Sequence, residues 1–131
     1  MTHEELYEVA EKARENSFAP FSKFRVGAAV LLKDGRVYTG VNIENSSYGA
    51  TICAERTAFV KAISEGALKG DADGCPFEAI AVSAGEDEAV PCGICRQFMF
   101  EFAPEITVIT KRAGELIARP LSRLLPEGFR L

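Results

Sequence analysis

The sequence predicts an α/β fold, a three-layer α/β/α sandwich with one mixed sheet of about five strands and helices on both faces. Three observations predict it. Apolar residues recur at helical spacing in separate stretches, β-branched runs lie between those stretches, and an Asp-Gly turn joins two of the runs as antiparallel neighbours. Sheets of this kind place ligand sites at strand-to-helix junctions. The 131 residues suit one domain, 1–131, long enough to bury a single core.

Thr2 and Glu5 form a capping-box pattern, after which Leu6, Val9, Ala10 and Ala13 mark a first helix until Asn16 and Ser17 interrupt it. A loop through Pro20 follows. From Phe24 the chain turns β-rich through Val26, Val30 and Leu32, reverses at Lys33-Asp34-Gly35-Arg36, and returns over 37–41 as a hairpin. The polar stretch 42–50 leads into a second helix, from 51 or 53 to 65, that Gly66 ends. A Gly- and Asp-rich connection, 68–75, precedes a strand over 77–83. A third helix, 92–102, stops before Pro104, and 106–110 has the β-branched run of a buried strand. Leu116-Ile117 reads as a short edge strand and 121–125 as a short helix.

Apolar residues make up 47% and charged residues 26%, proportions of a folded globular chain rather than a disordered or fibrous one. The net charge is −4 with the 15 Lys and Arg scattered, which offers no footprint for nucleic acid or an anionic membrane and favours a small neutral ligand. No apolar run approaches the roughly 18 residues of a membrane span, and the first residues are acidic and amphipathic rather than a signal-peptide core. The expected location is the cytoplasm. Four cysteines in a reducing compartment point to metal or redox chemistry rather than structural disulfides.

Two motifs carry the chemistry. Cys53-Ala54-Glu55-Arg56 sets a thiol two residues from a carboxylate, and Pro91-Cys92-Gly93-Ile94-Cys95 puts two thiols on one face of a helical turn. Residues i and i+2 do not face each other within a helix, so Cys53 and Glu55 share a site only off the end of theirs. Helix N-termini stabilise thiolates there. Three protein ligands on zinc leave a fourth position for water, and a carboxylate that is not a ligand is free to move that water's proton. A lone Cys-x-x-Cys fits a dithiol redox pair equally well; Cys53 and Glu55 tip the balance toward metal. His3 reads as solvent-exposed, and Cys75 as a partly buried, inert thiol.

Taken together, the two motifs, 39 residues apart from Cys53 to Cys92, resemble the zinc-dependent cytidine deaminases. Phe24-x-Val26-Gly27-Ala28-Ala29, Asn42-Ile43-Glu44-Asn45 and Ser47-Tyr48-Gly49 extend the likeness to the small, homotetrameric, three-cysteine branch over nearly the whole chain. The resemblance implies one Zn²⁺ per chain on Cys53, Cys92 and Cys95, with Glu55 passing a proton from the attacking water to N3 of the pyrimidine and then to the departing amine. It further implies that Arg56 hydrogen-bonds the thiolates and withdraws charge from them. Phe24 would stack on the base, Asn42 and Glu44 would hold the ribose hydroxyls, and backbone near Ala54 would read the base edge. Phe129, by its nature a frayed tail residue, would reach a neighbouring subunit's site through the Leu124-Leu125-Pro126 segment.

The implied reaction is deamination of cytidine and 2′-deoxycytidine in pyrimidine salvage, with nucleoside as the partner and neither nucleic acid nor membrane. Departures at Arg25, Ser46, Ala50 and the tail bear on fine specificity alone. A blasticidin-S-type deaminase shares the cysteines and the glutamate. A closed structural zinc site would need a fourth protein ligand, and a dithiol oxidoreductase leaves Cys53 and Glu55 unexplained.

Overall fold

The Thr2 hydroxyl accepts from the Glu5 backbone N–H at 3.1 Å while the Glu5 carboxylate accepts from the Thr2 N–H at 2.9 Å. This reciprocal cap satisfies two donors that a helix start otherwise leaves unpaired, and α1 runs from it over His3–Ala13. A 3₁₀ turn, Arg14–Asn16, completes the first helical stretch. The computed structural model describes residues 1–69 and 74–131. The middle of the expected 68–75 connection therefore lies outside the described residues.

Strands β1 (Gly27–Leu32) and β2 (Val37–Val41) form the expected hairpin around Gly35, whose φ of +97° is the left-handed conformation that glycine accommodates best. Helix α2 (Ala54–Ser64) follows, then β3 (Phe77–Ser83), α3 (Gly93–Phe102), β4 (Thr107–Arg112), β5 (Glu115–Pro120) and α4 (Leu121–Leu124). β5 is longer than the two residues expected, because Glu115 to Pro120 pair in continuous register with β4 although four of the six side chains are polar, small or proline. Pairing to a buried neighbour overrides weak β propensity.

The strand order is β2-β1-β3-β4-β5, antiparallel throughout except for β3 and β4. That parallel pair is joined by α3, so the crossover leaves β3 at its C-terminal end and opens a crevice there. β1 is buried along its whole length, as a central strand covered on both faces must be. One face carries Leu6, Tyr7 and Ala10 of α1 against Ala29, Leu31, Ala79, Ala81 and Ile109. The other packs α2 and α3 over Ala28, Val30, Ile80, Val82 and Val108.

Two glycines set how closely the helices approach. A Cβ on Gly40 would lie 2.3 Å from the Ala58 nitrogen and 2.4 Å from the Ala54 oxygen, so β2 and the first turns of α2 are in backbone contact. On the opposite face a Cβ on Gly27 would lie 2.1 Å from the Ala10 oxygen. Phe59 ties the motif-bearing helices together: its ring centroid lies 4.5 Å from that of Phe77, 6.5 Å from Phe98 and 6.4 Å from Phe102. Burial of such a side chain contributes about 1.5–3 kcal/mol, so α2 and α3 are held as one layer.

Candidate active site and metal centre

Cys53 is the N-cap of α2, with extended backbone at φ −77° and ψ 157°, and Cys92 is the N-cap of α3 at φ −70° and ψ 170°. A cap residue stands off the helix end rather than on its face. That is how Cys53 comes into one site with Glu55, the second helical residue, and how Cys92 joins Cys95, the third. The segment entering α2 is braced by two backbone hydrogen bonds, Ile43 N–H to Ile52 O at 2.9 Å and Ile52 N–H to Ile43 O at 3.0 Å.

The ligand atoms of Cys53, Cys92 and Cys95 all lie within 4.8 Å of one another, with the Cys53 and Cys92 sulfurs 3.9 Å apart. Three sulfurs about 2.3 Å from a common tetrahedral centre would lie about 3.8 Å apart, so the cluster fits zinc with small adjustments of side-chain torsion. All four cysteines are free. The Arg56 Nη2 donates to the Cys53 sulfur at 3.4 Å. Cys53 is drawn down to about 5, first by a hydrogen bond from Cys95 and, against the effect of burial, by the Arg56 guanidinium. Cys95 is raised by its hydrogen bond to Cys53 and by burial. Burial works to lower Arg56, yet its hydrogen bonds to Cys53 and Cys95 leave it raised, a guanidinium held to the sulfurs by charge. Its Nε is buried with no partner among the described residues.

Beside the sulfurs is a cavity of about 250 Å³, lined by Phe24, Val26 and Asn42, by residues 51–55, by residues 88–90 and by Cys92. Glu55 is 5% exposed, and burial pushes its carboxyl up to about 7 with the negative Cys53 adding to the rise. A carboxyl balanced near neutrality beside a metal position is suited to taking and returning a proton.

The structure therefore brings Cys53, Cys92, Cys95, Glu55, Ala54, Phe24 and Asn42 around one cavity edge, with Arg56 behind the sulfurs. Phe24 is 43% exposed at that edge rather than packed in the core. The Asn42 Oδ1 accepts from the Val26 N–H at 2.9 Å and from the Ser17 hydroxyl at 2.5 Å, while its Nδ2 donates to the Phe24 carbonyl at 2.7 Å. Asn42 thus holds Phe24 in place as well as lining the cavity. Glu44 stands in the adjoining loop, accepting from the Phe21 N–H at 2.9 Å, the Ser22 N–H at 3.1 Å and the Ser22 hydroxyl. Phe129 is 64% exposed and outside this cavity, its backbone joined to the Gln97 side chain by bonds of 2.8 and 3.4 Å. His3 is exposed, and Cys75 is half-buried with its thiol directed to the Phe77 carbonyl at 3.4 Å.

Residues 88–90 and Thr51-Ile52 are cavity residues that sequence reasoning missed. Their nearness to the cysteines along the chain was the available signal for them. The sequence model of the cytidine and deoxycytidylate deaminase zinc-binding region matches residues 1–111, a span that contains both cysteine motifs. The chain belongs to that cytidine and deoxycytidylate deaminase family. Among its relatives are the cytidine deaminases of Sporosarcina psychrophila, 44% identical over 98% of this chain and 92% of the relative, and of Halalkalibacterium halodurans, 46% identical over 98% and 95%. A solved cytidine deaminase from Burkholderia pseudomallei superposes with a TM-score of 0.88 at 42% identity, covering 98% of this chain and 100% of that one. The mixed five-stranded sheet is thus the family's fold, and the three-cysteine cluster, able by its geometry to hold a metal ion, lies within the span matched to the family's zinc-binding region.

Proposed function

We propose that residues 1–131 act as one deaminase domain that hydrolyses cytidine and 2′-deoxycytidine to uridine and 2′-deoxyuridine with release of ammonia, as a step of pyrimidine salvage. The observation that carries this reading is a buried Glu55 beside a cluster of three converging thiols, at a cavity flanked by an exposed aromatic and an amide. Cys53, Cys92 and Cys95 would hold Zn²⁺, which would supply Lewis-acid activation of a water for attack on the amidine carbon C4 of the pyrimidine. Glu55 accepts a proton from that water, delivers it to N3, and moves a second proton to the amine as ammonia departs. Arg56 withdraws charge from the thiolates, offsetting the −1 that three of them leave on a divalent ion.

Phe24 stacks on the pyrimidine, and Ala54, buried at the cavity edge, presents backbone to the base amide. Asn42 and Glu44 take the ribose hydroxyls, for which their loop-building bonds pre-set the backbone. The assembly is a homotetramer in which Phe129 of each chain covers a neighbour's cavity, consistent with its exposure in its own chain. The location is cytoplasmic; among the described residues no helix is long and apolar enough to cross a membrane. Among the described residues no Lys or Arg lines the cavity, whose acidic groups are Glu55 and Glu88, so free nucleosides are preferred over their 5′-phosphates.

Metal analysis and the cytidine absorbance band test this directly. The expected result is one zinc per chain and loss of the band on incubation. A metal-free protein active in disulfide exchange would overturn the reading. A blasticidin-S deaminase of Bacillus cereus, 31% identical over 80% of this chain, makes blasticidin S the comparison substrate, and faster turnover of it than of cytidine would redirect the assignment.

A further inference from the structure

The cavity has two walls of different construction. Residues 51–55 are secured by the Ile43–Ile52 backbone pair and by α2 itself. Among the described residues, no backbone–backbone hydrogen bond outside helices and strands involves residues 88–91. Side chains hold that segment instead. At one end the Arg96 Nε donates to the Pro91 carbonyl at 2.7 Å, and its Nη1 reaches the Leu124 carbonyl at 2.6 Å. At the other, the Glu88 carboxylate receives Arg112 Nε at 2.6 Å, Arg112 Nη2 at 3.1 Å, Arg119 Nη2 at 3.1 Å and the Thr110 hydroxyl at 3.3 Å.

We propose that Glu88 is a positioning residue, whose grip on Arg112 and Arg119 of the β4–β5 hairpin fixes the 88–90 wall of the cavity at the separation a flat substrate requires. It rests on the nucleoside reading above. Four donors converge on one carboxylate, and Arg119 is 12% exposed in its side chain, which separates this cluster from a solvated surface pair. The Arg119 Nε is buried without a partner among the described residues, so Glu88 is the charge that makes burial of this arginine tolerable. The Arg112 bonds hold Glu88 ionised, below the usual carboxylate range. Glu88 precedes the wall residues Ala89 and Val90 directly, so release of its side chain frees a segment for which, among the described residues, no backbone–backbone hydrogen bond outside helices and strands is present.

The test is Glu88→Gln in the full-length protein, read by steady-state kinetics, zinc content and hydrogen exchange. Expected are a KM for cytidine raised about tenfold with kcat changed less than about threefold, the pattern of lost binding geometry rather than lost chemistry. Zinc should remain at the wild-type level, and exchange should quicken over 86–92 but not over α2. Unchanged KM or unchanged exchange overturns the proposal. So does a parallel loss of kcat and zinc, which would mark Glu88 as structural. If Glu88→Gln does not fold, Arg112→Met, at a side chain 57% exposed, takes its place: the same rise in KM and in exchange supports the proposal, and their absence overturns it. Wild type that leaves cytidine untouched defeats the nucleoside reading and the substrate half of this proposal together; an active wild type with an indifferent Glu88→Gln defeats the proposal alone.

Discussion

The N-termini of α2 and α3 face each other across the thiol cluster, and they are built to different standards of rigidity. The α2 end follows a backbone-braced segment, lies in direct backbone contact with β2 at Gly40, and carries the buried Glu55. The α3 end follows a segment held by Glu88 and Arg96 side chains, and it supplies two of the three sulfurs, Cys92 exposed and Cys95 buried. The difference has a physical sense. A proton-transfer group depends on burial for its raised pKa and tolerates little movement, whereas a metal draws its own ligands into place once they are near. The backbone-braced end thus carries the acid, and the side-chain-braced end carries two of the three thiols proposed to hold zinc.

The largest break in this comparison is Cys95→Ala, expected to remove zinc and activity together because two thiolates hold the ion weakly against solvent; metal analysis of the purified variant checks it. Glu55→Ala comes next. It should retain zinc and nucleoside binding while losing about two to four orders of magnitude in kcat, and loss of zinc in its place would make Glu55 a structural residue. Phe59→Ala tests the layer that holds the two ends together, with an expected cost of about 3–5 kcal/mol in denaturant unfolding. Gly40→Ala sharpens the comparison from the α2 side alone. Its Cβ would meet backbone atoms at 2.3 and 2.4 Å, and a destabilisation of about 1–3 kcal/mol is expected, with kcat reduced because Ala54 and Glu55 must shift. The smallest effect is Phe129→Ala, a several-fold rise in KM at unchanged zinc content. A monomeric wild type by light scattering, or an unaltered KM, would return Phe129 to a role within its own tail.

Much of this fold is readable in one dimension. Thr2 and Glu5 announce α1, Asp34-Gly35 announces the hairpin, and Gly66 with its φ of +95° marks the end of the second helical stretch, because caps and turns are local events between residues a few positions apart. The cysteines and Glu55 were legible for a related reason: their chemistry is rare and their spacing is dictated by helix starts. β5 was under-read because its pairing with β4, not its composition, makes it a strand.

The sequence by itself determined most of the elements, the three thiols, the acid beside them and the family resemblance, since each is written in residue type and short spacing. Only the tertiary structure decided what surrounds them. Asn42 reaches Val26 and Ser17, Arg96 reaches Leu124, and Glu88 gathers Arg112 and Arg119, partners up to 31 residues away along the chain. Hydrogen bonds of that kind depend on strand order and helix placement, and no periodicity along the chain encodes them.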